Sequence, residues 1–459
     1  MTESALIRDL ARVVGQSNVL AGAAGVVKAI VRPGSAEDVG SCLRLIADAG
    51  RTVVTVGGAS GLVGGTEGDE GQIAVSTARL ASIAPIQPHQ RMVAVGAGAV
   101  LSRVQAAANA AGRRFGVDLG ARDSCTIGGM VATNAGGIRV LRYGMMRRNV
   151  CGLQVVLADG TVIDDMAGLE KNNTGIDLTQ MHIGAEGTLG VVTAALLRLV
   201  PQPRDSATAL LAFDSAELAL AAARAIETRA MGQLSAAEIM WADYMTAAVR
   251  ATGAAHPLPG RAVYLLVQFE TESPDAADIL MTALADLAEG DGVIATTRAQ
   301  EAMLWSLRDA SDPVERLHRH TLSYDVSLRP EVHETYLAEV IAALLAFDPT
   351  LVSYSFGHLL DGNIHLIVAS DGAKPDAAKL AALVYDPLAR HAPASISAEH
   401  GIGREKAPHL WRSRTAAEIS AMNRIRDALD PGRLLNPHIR FSHTAPSSKP
   451  SHTPEVLHG

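Results

Sequence analysis

Apolar positions in this chain switch between a helical and a two-residue period, and each switch predicts an element. Val39, Cys42, Leu43 and Ile46 recur at helical spacing after Ser35, which with Asp38 forms a capping box, so a helix is expected up to Gly50. Residues 51–56, Arg-Thr-Val-Val-Thr-Val, form a β-branched strand, and Leu101, Val104 and Ala108 mark a helix that stops at Gly112. Residues 153–157 give a further strand, ended by an Asp159-Gly160 turn. Beyond about residue 205 strands are expected at 207–213, 234–240, 262–269, 322–328, 351–356 and 364–368, with helices opening at Asp214-Ser215, at Ser273-Pro274-Asp275 and over 330–345. This order predicts an α+β sandwich: helices cover one face of an antiparallel sheet and the other face is left free.

The last two strands carry candidate chemistry. In Tyr354-Ser-Phe-Gly-His-Leu-Leu-Asp-Gly-Asn-Ile-His365, a two-residue turn at Asp361-Gly362 would set His358 directly opposite His365. Opposed residues have Cβ atoms about 4.5–5.5 Å apart, near enough for both rings to hold one cation. Two histidines hydrogen-bonded at a strand end would fit equally well. Ala398-Glu-His-Gly-Ile-Gly403 offers Glu399 and His400 as further donors, although alone it reads as an ordinary loop.

Three stretches are dense in glycine and other small residues. The strand at 51–56 runs into Gly57-Gly-Ala-Ser-Gly61-Leu-Val-Gly-Gly65, a pattern that can present backbone N–H groups to phosphate oxygens or make a plain tight turn. It lacks both the Lys-Ser/Thr of a P-loop and the Gly-x-Gly-x-x-Gly spacing. The second stretch, Asp118 to Gly137, holds five glycines among short side chains, which suits backbone packed against a bulky ligand. The third is Ile183-Gly-Ala-Glu-Gly-Thr-Leu-Gly-Val-Val192.

Composition narrows the picture. At 459 residues and 48% hydrophobic content the chain suffices for two or three domains, and the scarcity of aromatics (3%) leaves the cores to aliphatic residues. A net charge of −8 without a basic cluster argues against nucleic acid as a partner. There is no signal-type N-terminus and no run of the roughly 18 apolar residues a membrane span needs. Cys42, Cys125 and Cys151 have no metal-type spacing and suit reduced thiols in the cytoplasm. From about Ser442 the chain is polar and Pro-rich, and disorder is expected.

The three small-residue loops, above all Val56-Gly-Gly-Ala-Ser-Gly61, Thr126-Ile-Gly-Gly-Met-Val-Ala-Thr-Asn-Ala-Gly-Gly137 and Ile183-Gly-Ala-Glu-Gly-Thr-Leu-Gly190, resemble those of FAD-linked oxidases of the vanillyl-alcohol oxidase and p-cresol methylhydroxylase type. The resemblance implies a two-part FAD-binding domain over 1–203, a substrate and metal-binding domain over 204–415, and a segment at 416–441 that returns to the FAD domain. It implies that Val56, Gly57, Gly58, Ala59, Ser60, Gly61 and Leu62 approach the FAD diphosphate together with the second loop. That loop contributes Asp118, Thr126, Ile127, Gly128 and Gly129, then Ala132, Thr133, Asn134, Gly136 and Gly137. Glu186, Gly187, Gly190 and Val191 would lie along the adenosine side, and Asn436 would join from the returning segment, where His438 replaces the usual glycine. The first loop has no histidine, so a histidyl-linked flavin is not expected; a cysteinyl link through Cys125 stays an alternative to non-covalent binding.

Gly357-His-Leu-Leu-Asp-Gly-Asn-Ile-His365 and Ala398-Glu-His-Gly-Ile-Gly403 resemble the C-terminal signature of the D-2-hydroxyacid dehydrogenase branch, which includes D-lactate, D-2-hydroxyglutarate and glycolate dehydrogenases. The resemblance implies that His358, His365 and Glu399 hold a divalent metal, Zn²⁺ first, with Mn²⁺ or Fe²⁺ open. It makes His400 the base and Arg308 the partner of the substrate carboxylate; apart from it, Arg308 would be placed on a solvated helix face. Ser323 and Ile367 stand where the hydroxyglutarate type has a lysine and an asparagine, which favours a monocarboxylate substrate. Electron-transfer flavoprotein, quinone and cytochrome are all open as acceptors, and a homodimer is open as the assembly. Two other activities stay in view: a metal-independent flavin oxidase, and a non-catalytic FAD subunit of a glycolate-oxidising complex.

Overall fold

The computed structural model describes residues 2–22, 27–230, 232–285 and 291–442; of the segment expected to be disordered only Ser442 is among them. Near the N-terminus the helix Ala36–Asp48 forms as its apolar stripe predicts, with Val39, Cys42, Leu43 and Ile46 fully buried. The Ser35 hydroxyl accepts the Asp38 N–H at 3.1 Å. The reciprocal bond differs from the expected capping box: the Asp38 carboxylate accepts from Gly34 N–H, at 2.9 Å, one residue before the cap.

This helix covers a four-stranded sheet in which Ala29–Val31, Ile73–Ser76 and Val53–Val56 run parallel and Val19–Ala21 is antiparallel at the edge. A second, antiparallel sheet contains Met92–Gly96, Val191–Arg198, Val150–Val156 and Val162–Asp164. Val156 and Val191 belong to the core beneath the first sheet, which joins the two halves. Near the C-terminus, Val53 N–H bonds to the Leu434 carbonyl (2.8 Å) and Asn436 N–H to the Val53 carbonyl (2.9 Å), so the end of the chain returns to the first sheet.

The third sheet has eight strands, all antiparallel to their neighbours, in the order Asp291–Ile294, Asp205–Phe213, Val263–Thr271, Leu234–Trp241, Val352–His358, Asn363–Ser370, His320–Leu328, Ala394–Ser395. The expectation of helices on one face only is corrected here. Ala216–Ala230 and Ala276–Leu284 pack on one face, while Ala242–Thr252, Arg298–Arg308 and Ser311–Glu315 pack on part of the other. Val263–Thr271 is buried at every position, as a strand sealed on both sides must be, and the unbroken apolar run of its first five residues, 263–267, already carried that information.

The hairpin register is also corrected. His358 pairs with Asn363, and His365 pairs with Phe356, because four residues rather than two connect the strands. Leu359 is drawn out of the ladder: it is fully buried in the core under the helices, and its N–H bonds to the Ala237 carbonyl at 2.8 Å. The displacement is two residues, so side-chain faces are preserved. The two histidines still share a face as diagonal neighbours, with ring centroids 5.4 Å apart.

Candidate active site

The uncovered part of that face carries polar side chains from four adjacent strands. Across the ladder, Glu238 stands opposite His358, and His365 stands between Phe356 and Asp325. The loop bearing Glu399 and His400 closes over them. Glu399 Oε1 lies 3.6 Å from His358 Nε2 and Oε2 lies 3.9 Å from His365 Nε2. One ligand atom from each of His358, His365 and Glu399 can be chosen so that all lie within 4.8 Å of one another. Donors of a tetrahedral Zn²⁺ site stand about 3.4 Å apart, so closure by roughly an ångström would seat a cation.

Two residues outside the expected set organise these ligands. Glu238, 1% exposed, accepts from His358 Nδ1 at 2.8 Å and from Arg308 Nε at 2.6 Å. Its bond to Nδ1 turns the opposite ring nitrogen toward Glu399, the arrangement a metal-ligating histidine uses. Asp325, fully buried, is bonded to His400 and to Lys406. Glu238 is an isolated charge within a largely apolar strand and Asp325 is the one carboxylate of its strand, and that is the signal by which they could have been found: a buried carboxylate must have partners.

Burial and charge act against each other at these groups. Burial would raise the Glu399 carboxyl, but His358, His365 and His400 outweigh it and hold it far below its usual range. Burial would lower His358, yet Glu238 and Glu399 lift it well above its ordinary value. His365 goes the other way, pushed well below by burial and by the neighbouring cations. His400 is likewise opposed by burial and is raised by Asp325.

Arg308 ends the helix Arg298–Arg308 and is 7% exposed, which removes the solvated-face alternative. Its guanidinium lies over Phe356, 5.2 Å from the ring centre. With Nε given to Glu238, the other edge of the fork points toward the histidines, and one terminal nitrogen is 3.4 Å from His358 Nε2.

The three glycine loops converge beside this face. Cβ atoms on Gly57 and Gly58 would collide with Thr126 and Ser124, which shows how tightly the first loop packs on the second. Gly184 and Glu186 N–H bond to the Val131 and Ala132 carbonyls at 3.0 and 2.8 Å, bringing in the third. Ala59, Asn134, Glu186 and Asn436 have positive φ, strain of the kind that clusters at ligand sites. The buried hydroxyls of Thr55 and Thr126 have no hydrogen-bond partner, and Ala59, Gly61 and Leu62 stay open to solvent. Such a cradle, with spare donors and exposed backbone, fits a bulky phosphorylated ligand.

Other expected cofactor residues are buried or bonded within the protein. Ile127 and Val191 are fully buried in the cores. The Asp118 carboxylate is taken by Gln105, Arg122 and Arg139. Glu186 accepts from Ile402 and Gly403 N–H at 2.9 and 2.8 Å, and the Asn436 amide bridges Thr55 N–H and the Glu186 carbonyl. His438 reaches the Gly65 carbonyl at 3.1 Å, just past the first loop. Cys125 is 4% exposed and burial pushes its thiol up to about 11, which disfavours the thiolate a covalent link would need.

Gly137 joins the loops to the ligand set, since its N–H donates to Glu399 Oε1 at 2.6 Å. Its φ is +86°, and a Cβ would strike the Asp118 carbonyl. Gly137→Ala should therefore cost at least about 1–3 kcal/mol of stability and lower flavin retention, read as a drop in thermal midpoint and in flavin absorbance per protein.

Residues 202–439 match the family described as FAD linked oxidases, C-terminal domain, and residues 27–165 match the FAD binding domain. This chain belongs to the FAD-linked oxidase family. It is an FAD-dependent oxidoreductase. Among its relatives are a D-2-hydroxyglutarate dehydrogenase of Xanthomonas citri pv. viticola, 38% identical over 92% of this chain and 91% of the relative, and the mitochondrial D-2-hydroxyglutarate dehydrogenase of Bos taurus, 34% identical over 90% and 77%. Among solved structures, p-cresol methylhydroxylase with substrate bound shares the fold at a TM-score of 0.76 and 16% identity, with 98% of this chain and 99% of that one covered. Among the described residues, no helix is long and apolar enough to cross a membrane.

Proposed function

We propose that this FAD-linked oxidoreductase oxidises a D-2-hydroxy acid to the 2-oxo acid with the help of a divalent cation. The observation that carries the proposal is the placement of His358, His365 and Glu399 within reach of one ion, with His400 beside them and Glu399 bonded to a glycine of the flavin loops. When bound, FAD would accept the C2 hydride, and a cation held by the three ligands, Zn²⁺ above all, would lower the pKa of the substrate hydroxyl. Arg308 would pair with the substrate carboxylate through the guanidinium edge that Glu238 leaves free. His400 would take the hydroxyl proton on Nε2, its Nδ1 being engaged by Asp325 at 3.1 Å.

The wider assignment follows from the same architecture. Residues 1–203 would bind FAD non-covalently, residues 204–415 would bind metal and substrate, and residues 416–441 would brace the two. The electrons would pass on to an electron-transfer flavoprotein, a quinone or a cytochrome. Cys42, Cys125 and Cys151 are free thiols, and a reducing compartment, the cytoplasm first, is the one we propose.

Two substrates compete. The relatives' names favour D-2-hydroxyglutarate. One row beyond His365 on the same sheet face, however, Ser323, Ile367 and Tyr354 lie side by side, and the Ser323 hydroxyl is bonded to Glu315. Ile367 is buried with Tyr354 in the core under the helices and Ser323 carries no charge, so neither offers a cation or an amide to a second substrate carboxylate, which favours D-lactate, glycolate or a longer monocarboxylate.

Anaerobic mixing with D- and L-forms of these acids should bleach the flavin, with the D-form faster where the acid is chiral. The ranking of kcat/KM between D-2-hydroxyglutarate and D-lactate decides between the two substrates. Failure of every acid after metal reconstitution would sink the proposal, and full activity after complete chelation would remove the cation from it.

A further inference from the structure

We infer that Asp325 is the positioning residue of the site: it holds the turn that carries Glu399 and His400 and fixes the His400 ring with its Nε2 lone pair toward the substrate. This rests on the function proposed above. Asp325 lies on the strand His320–Leu328 directly opposite His365, and its side chain is fully buried. Oδ2 accepts three successive backbone N–H groups, from Ala398 at 2.9 Å, Glu399 at 2.8 Å and His400 at 3.2 Å. Oδ1 faces His400 Nδ1 at 3.1 Å and is bonded to the Lys406 ammonium. Lys406 is 3% exposed and also reaches Ser397 Oγ, at 3.3 Å, at the start of the same turn.

The chemistry requires an anion at this point. Three consecutive N–H groups aimed at one oxygen form a concavity for negative charge, and hydrogen bonds to an ionised acceptor are about twice as strong as neutral ones. One carboxylate thereby sets a candidate ligand, Glu399, and a candidate base, His400, relative to the opposing ligand His365. An Nδ1–H directed at Asp325 leaves Nε2 as the only ring atom able to accept a proton. When the hydroxyl proton arrives there, the imidazolium is stabilised by Asp325, which itself stays ionised because Lys406 and the three N–H groups hold it so.

Asp325→Asn preserves shape but presents an amide N–H to His400 Nδ1 and so reverses the ring's tautomer. In the FAD- and metal-loaded enzyme it should lower kcat about 10⁴-fold, as tautomer reversal does at a His–Asp pair in hydrolysis, with KM changed less than about threefold. In a His400→Ala background the same substitution should cost less than about threefold, because groups that act as a unit are non-additive. Should the unpaired Lys406 prevent folding, Asp325→Asn/Lys406→Met removes that charge and is read in the same way.

Nitrogen-15 spectra of histidine in the resting holoenzyme at alkaline pH supply a readout without turnover: His400 should be the Nδ1–H form in the wild type and the Nε2–H form in the variant. An Nε2–H His400 in the wild type, a variant kcat within threefold of wild type, or an equal loss in the His400→Ala background would overturn the inference. Wild-type protein inert to every hydroxy acid would instead count against the proposed function, with the spectra still deciding the role of Asp325.

Discussion

His365→Ala should leave the protein folded but unable to retain its cation, and flavin reduction by the preferred hydroxy acid should slow by about 10³-fold or more, the several kcal/mol a Lewis acid supplies to a developing alkoxide. His365 is one of three candidate ligands, it is pushed toward the neutral form a ligand must have, and no other histidine shares its position between Phe356 and Asp325. Metal analysis of the purified variant and anaerobic stopped-flow flavin reduction check the two halves separately. A variant that binds metal and turns over like the wild type would remove the triad from the mechanism. The same ligand set predicts a pH dependence. His358 is held protonated above its ordinary value in the cation-free site, so a cation must displace that proton. Metal affinity should therefore rise with pH until it passes the raised His358 value and fall in acid.

Glu238→Gln should be the most damaging single substitution for stability. Glu238 is the shared buried partner of Arg308 and His358, and removing its charge leaves an arginine that is 7% exposed without its nearest counter-ion. Breaking a buried pair from one side costs about 3–5 kcal/mol. Loss of the carboxylate behind a ligating histidine should weaken metal binding about 10–100-fold. Burial would raise the Glu238 carboxyl, but His358 and Arg308 hold it below the usual range. Its contribution is thus complete at neutral pH and is lost as pH falls through that lowered value, so the stability gap between wild type and variant should close only in acid. Chemical denaturation of both proteins across pH, with metal content alongside, measures all three effects. A variant as stable as the wild type that still holds its metal would show that Glu238 has no structural part in the site.

Much of this is legible in the sequence. The helix Ala36–Asp48 and six of the eight strands of the third sheet follow from the sequence pattern, the short edge strands Asp291–Ile294 and Ala394–Ser395 being the two that do not, and the glycine loops marked where a large ligand would lie. The hairpin was legible in part. Its turn residues suggested a two-residue loop, but Leu359 gains more by entering the helical core than by pairing across the ladder, and a preference of local turn chemistry cannot weigh that burial. The histidines nevertheless kept a common face, since a displacement of two residues leaves a two-residue period unchanged. The half-covered third sheet was misjudged because helices such as Ala242–Thr252 were not anticipated, although the unbroken apolar run at 263–267 required cover on both sides.

What the chain determined by itself were the identities and local faces of the donors: two imidazoles on one strand pair, a carboxylate and an imidazole on one turn, and small residues where backbone must come close to a ligand. Those are properties of neighbouring residues, and backbone periodicity transmits them directly. Only the tertiary structure decided which buried acid serves which cation or ring. Glu238 meets His358 across 120 residues, and Asp325 holds the backbone of Glu399 across 74, pairings that arise when strands and turns remote in sequence are packed together and every buried charge must find a partner there.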